Sequence, residues 1–194
     1  DYNTYVLWIV PPRGRAENLG EVLLHGDRPM HRASTPATTF AILISAEPHY
    51  LVSSPSAFLI LENKLDPQGR AIDQPLVVGV YNFARSTLAD QKEAKGRVNS
   101  EVRQAFTAVR LAERAGAEHF ANEELASARR ALQDTLALWK ERKDRTEIAA
   151  KARETVRLAV AAQHLAQERA LVVLGSTEGV GGGKGETEGR DARG

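Results

Sequence analysis

Helix breakers and helix formers are segregated along this chain. All eight prolines lie at or before Pro75, whereas residues 86–174 hold only two glycines, Gly96 and Gly116, and about twenty alanines. Proline and glycine punctuate turns and alanine has the highest helix propensity, so an all-β part followed by an all-α part is implied. At 194 residues each part can bury a modest core. The expected fold class is α+β: an N-terminal antiparallel β-sandwich over residues 1–85, then an Ala-rich helical hairpin or three-helix bundle over residues 86–174. A Gly-rich tail over residues 175–194, with eight of the fifteen glycines and almost no apolar residue, is expected to be flexible.

Residues 5–10 read Tyr-Val-Leu-Trp-Ile-Val, a β-branched and aromatic run closed by Pro11 and Pro12, which predicts a largely buried strand. Turn residues at Arg13, Gly14, Arg15 and from Asn18 to Gly20 lead into a short strand at 21–24, and His25-Gly26-Asp27 supplies the next turn. Further strands are expected at 39–46, 50–53, 57–61 and 76–82. Six or seven short strands at close spacing suggest a sandwich rather than a sheet covered by helices.

The second half carries helix-start signals. Thr87 with Asp90, Asn122 before Glu123 and Glu124, and Asp144 with Glu147 each offer a side-chain oxygen to unpaired backbone N–H groups. Leu125, Ala128, Leu132, Leu136 and Trp139 recur at steps of three and four, as do Ile148, Ala152, Val156, Ala159, Gln163, Ala166 and Ala170. Val102, Ala105, Phe106, Val109 and Ala112 form a third stripe, ending near Gly116, which suits a helix cap with positive φ. Narrow, Ala-heavy stripes imply closely packed helices. Between Lys143 and Thr146 there is no Gly or Pro, so residues 122–174 fit either two helices or one of roughly 80 Å.

Charge offers little direction to a partner. There are 26 Lys and Arg against 25 Asp and Glu, interspersed, and the densest basic cluster, Lys140, Arg142, Lys143 and Arg145, is interrupted by Glu141 and Asp144. A nucleic-acid binder would show a basic stripe, so none is expected as partner. The absence of cysteine excludes disulfides, thiolate metal sites and Cys nucleophiles from this sequence. No apolar run approaches the roughly 20 residues of a membrane helix. No signal peptide is visible, and Asp1 leads almost directly into a strand-like run, as in a mature or trimmed chain.

Motifs for chemistry are equally sparse. The stretch from Gly181 to Thr187, with Lys184, superficially resembles a phosphate loop, but Gly185 stands where Ser or Thr must hold magnesium and no helix-forming sequence follows. His25, His31, His49, His119 and His164 lack the i,i+4 spacing of a helical metal site. Ser53, Ser54 and Ser56 read as turn residues, without a nucleophile elbow. Glu47-Pro48, ending a strand, suits a carboxylate that anchors a loop by accepting backbone N–H bonds; catalysis would need an acid/base partner that the sequence does not nominate. Trp8 and Trp139 lie within apolar patterns and are expected as core anchors. No catalytic, cofactor-binding or metal-binding residue, and no cofactor, is nominated.

Tyr5-Val-Leu-Trp8, Asn18-Leu-Gly20-Glu21, Phe40 and Ala46-Glu47-Pro48 followed by Pro55 resemble the C-terminal extracytoplasmic domain of RskA-type anti-sigma factors, over roughly residues 2–62. The resemblance implies a sandwich in the bacterial envelope and no catalysis. After Glu47-Pro48 the family tends to have glycines where this chain has His49-Tyr50-Leu51-Val52, and the family's regulatory module and membrane helix are absent, so anti-sigma activity is not implied. The stretch from Ala112 to Ala128 is similar to an Ala-rich helical domain of unknown function found in envelope proteins, often ahead of OmpA-like domains. The expectation is a non-enzymatic extracytoplasmic protein (periplasm, cell surface or secreted), structural or interacting with a protein partner or with itself. A sensory or ligand-binding module working through the sandwich loops is the alternative.

Overall fold

A computed structural model of the chain describes residues 2–25, 28–62 and 99–178. The strands are β1 (Thr4–Val10), β2 (Glu17–Glu21), β3 (Leu23–His25), β4 (Arg28–Met30), β5 (Ala41–Glu47) and β6 (Leu59–Glu62). The helices are α1 (Ser100–Arg114), α2 (Ala117–Phe120), α3 (Asn122–Lys140) and α4 (Arg145–Glu178). An antiparallel four-stranded sheet of order β2-β1-β5-β6 is thus followed by helices, a mixed α+β chain, with β3 and β4 forming a separate two-stranded ribbon.

Strand β1 is central because its run of β-branched and aromatic residues satisfies both faces of a sheet. It pairs with β5 in unbroken register from Thr4↔Glu47 to Val10↔Ala41. Period-two alternation puts Val6, Trp8 and Val10 beside Ala41 and Leu43, and these form the apolar cluster of the sheet, with Ala16 and Val52 at its margin. Trp8 is fully buried, as expected, and its indole N–H donates to Ser45 Oγ at 2.8 Å. The expected strand at 50–53 is a turn instead. Asn18 Nδ2 donates to the carbonyls of both Tyr50 and Val52 at 2.9 Å, so a side chain takes acceptors that a neighbouring strand would have used.

In the helical part α1, α3 and α4 share one core of Ala105, Ala108, Val109 and Ala112 with Leu125, Ala128 and Leu132 and with Ala152, Val156, Ala159, Ala162 and Ala166. The alanines let the backbones approach closely, which is why narrow stripes suffice. Gly116 ends α1 at φ 83°. The long-helix arrangement does not form: α3 and α4 are separate. Lys143 N–H bonds Leu138 O at 3.0 Å and Arg142 N–H bonds Trp139 O at 3.1 Å, with Arg142 at φ 56°, the pattern of a Schellman stop made without glycine. Asp144 Oδ1 then accepts from Thr146 N–H at 2.8 Å, opening α4. Asn122 marks the start of α3 but makes no side-chain cap bond; Leu125 N–H bonds Ala121 O. Trp139 is only half-buried and is not the core anchor expected, because it lies at the end of α3, past the shared core.

The strand expected at 76–82, the Thr87 and Asp90 start, the boundary between residues 85 and 86, Gly26 and Asp27 of the expected turn, and the Lys184 loop lie outside the described residues. Helix α4 continues to Glu178, into the span read as tail.

Candidate functional site

Chemistry-bearing groups from different elements meet at several places among the described residues. The first is the junction between sheet and helices, built around Glu21 at the end of β2. Its Oε1 accepts from Thr4 Oγ1 at 2.5 Å and from Gln104 Nε2 of α1 at 2.7 Å, while Arg153 Nη2 of α4 meets Oε2 at 2.5 Å. The Arg153 guanidinium also lies over the Tyr50 ring, 4.8 Å from its centre. Gln104 Oε1 accepts Tyr50 N–H at 3.0 Å, and Asn3 Nδ2 donates to Pro48 O at 3.0 Å and to Thr107 Oγ1 at 2.9 Å. A charge buried this deeply persists only when paired and hydrogen-bonded, and Glu21 is both. Sequence reasoning misses Gln104 and Arg153. Their signal is faint: Gln104 borders the Val102, Ala105 and Val109 stripe, a polar residue at a buried position.

The second place is the loop that follows β5. Glu47 is buried, and its Oε1 accepts from Ser45 Oγ at 2.5 Å and from Ser56 N–H at 2.6 Å, so the carboxylate ties the loop to the strand as expected. Burial pushes its pKa up, opposed by the bonds from Ser45 and Ser56. Ser56 Oγ donates to Ala46 O at 2.8 Å, the work of a turn residue. His49, two residues on, is 3 % exposed. Burial and the neighbouring His164 of α4 lower its pKa to about 4. The other histidines are dispersed: His31 Nε2 bonds Leu19 O at 2.9 Å, and His119 lies in the short α2.

The third place is β6. It pairs only with β5 among the described strands, and Phe58, Ile60 and Leu61 are 58 %, 59 % and 50 % exposed. β6 is short and ends in the charged Glu62, as edge strands often do, yet Phe58 and the strand's Leu59 to Leu61 set four consecutive large apolar residues at this edge. The ring of Tyr2 packs against Phe58 at 4.5 Å between centroids.

Comparisons with protein-family models, curated proteins and solved structures find no match. Among the described residues no three His, Asp or Glu side chains form a metal cluster, and no helix is long and apolar enough to cross a membrane.

Proposed function

We propose that this chain is a non-enzymatic extracytoplasmic structural or protein-interaction protein of the bacterial cell envelope that associates with further copies of itself through its sheet edge. The observation that carries the reading is the apolar β6 edge. Strand addition satisfies edge N–H and C=O groups and covers apolar side chains in one step. The envelope setting draws on the resemblance of residues 2–62 to the RskA-type extracytoplasmic domain and of the stretch from Ala112 to Ala128 to an Ala-rich envelope domain. On the same basis the β half is read as a sandwich and the helices as a three-helix bundle that spaces or assembles it. The buried engagement of Glu47 with Ser45 and Ser56 supports an architectural role for the one carboxylate that a catalytic reading singles out.

Light scattering on the purified full chain across a range of concentrations tests this. The molar mass is expected to grow with concentration for the parent chain and to stay monomeric for Ile60→Lys, whose charge blocks edge pairing at a position already exposed. A monomer at every concentration removes self-association and redirects the search to a ligand or foreign partner of the loops.

A further inference from the structure

We propose that His49 and His164 form a binding site for one divalent transition-metal ion of the nitrogen-preferring class, such as zinc, nickel or copper. The inference is independent of self-association through β6.

The two imidazoles line a single pocket of about 120 Å³ between the loop after β5 and helices α1 and α4. His49 Nδ1 is buried and has no hydrogen-bond partner among the described residues, an unfavourable state unless something occupies the space beside it. Among the described residues the remaining polar lining is Ser53, Ser54 and Gln163, so every described lining group is neutral or a histidine. Without a Lys or Arg the pocket offers nothing to an anion. Without a carboxylate it offers little to calcium or magnesium, which prefer charged oxygen ligands. Paired imidazoles are what borderline metals choose, and neutral oxygens and water complete such a coordination shell.

The two rings come from distant parts of the sequence, one on the sheet side and one on α4, which is why no spacing motif announces them. Chelation would therefore pin the loop to the helix and raise the thermal stability of the whole unit.

The full chain, stripped with a chelator and then dialysed free of it, would be titrated with copper, nickel, zinc and magnesium, recording heat of binding and Tm. One equivalent is expected to bind. Tm should rise by several degrees in the order copper above nickel and zinc, with no shift for magnesium. His164→Gln changes an exposed side chain and leaves the fold intact, and it should abolish both the heat and the shift. His49→Gln should do the same, while His119→Gln, outside the pocket, should leave both unchanged. Absence of binding in the parent chain, or binding that survives either pocket substitution, overturns the proposal and leaves the pocket to water.

Discussion

The helical core and the sheet–helix junction are held by opposite means. The core of α1, α3 and α4 is apolar and alanine-rich, so its cohesion comes from close approach and its members are individually small. The junction gathers Glu21, Gln104, Asn3 and Thr107 out of water, with the half-exposed Arg153 at its margin, and satisfies them with one another. Truncating an apolar side chain leaves a cavity, whereas removing a polar partner leaves a desolvated group with nothing to bind. The core should therefore respond to volume, and the junction to the loss of a polar partner.

Leu125→Ala puts the core to the largest test. Leu125 is fully buried, and its truncation should destabilise the chain by about 3 kcal/mol, read from denaturant unfolding followed by helical circular dichroism. A cost below about 1 kcal/mol would mean that the core relaxes around the void and is looser than its alanines suggest. Acid should act by a similar amount on the loop after β5, which borders the junction. In buffer containing a chelator, the neutral His49 is favoured by the fold because its pKa falls from 6.5 to about 4. Its contribution is complete above pH 6.5 and is lost as pH falls towards 4, about 3 kcal/mol at most. Glu47 works in the opposite sense: its raised pKa means that protonation in acid relieves a burial penalty, making the loss shallower. Equilibrium unfolding of His49→Gln between pH 6.5 and 4 should show a flatter profile than the parent; equal slopes would remove His49 from the account.

Glu21→Ala comes next, at about 2 kcal/mol, because buried Gln104 loses its shorter, charged acceptor and keeps only Ser100 Oγ at 3.3 Å, while half-exposed Arg153 regains water. Its signature should be faster amide exchange in β1 and β2 with the helical amides still protected. Uniform loss of protection would show the two regions to be one cooperative unit. The smallest effect is a gain: Arg142→Gly removes a side chain from a left-handed residue and should stabilise by about 0.5 kcal/mol, offset in part by the freer unfolded chain.

Legibility in the sequence follows the range of the interactions. The stripes through Val109, Leu132 and Val156 and the Gly116 cap can be read because helices are fixed by neighbours three and four apart. The break after Lys140 is ambiguous in sequence because Arg142 performs a turn that usually requires glycine. The strand expected at 50–53 fails for the opposite reason: Tyr50, Leu51 and Val52 have strand chemistry, but Asn18, far away in sequence, holds the carbonyls of Tyr50 and Val52 in a turn. Glu47 is legible as a loop anchor because Ser56 is close behind it. Glu21, Gln104 and Arg153 meet only when three distant elements fold together, and so do His49 and His164. No local pattern encodes such meetings.

Helix α4 ties several parts of this architecture together: it shares the core with α1 and α3, supplies Arg153 to Glu21 and His164 to the loop pocket, and sends Arg169 Nη1 to Phe120 O at 2.5 Å. Translation runs from the N-terminus, so this helix leaves the ribosome after everything it completes. The earlier helices must wait, with their apolar stripes uncovered, until residues 145–178 clear the exit tunnel, and a chaperone that shields nascent chains would have its longest task during that interval.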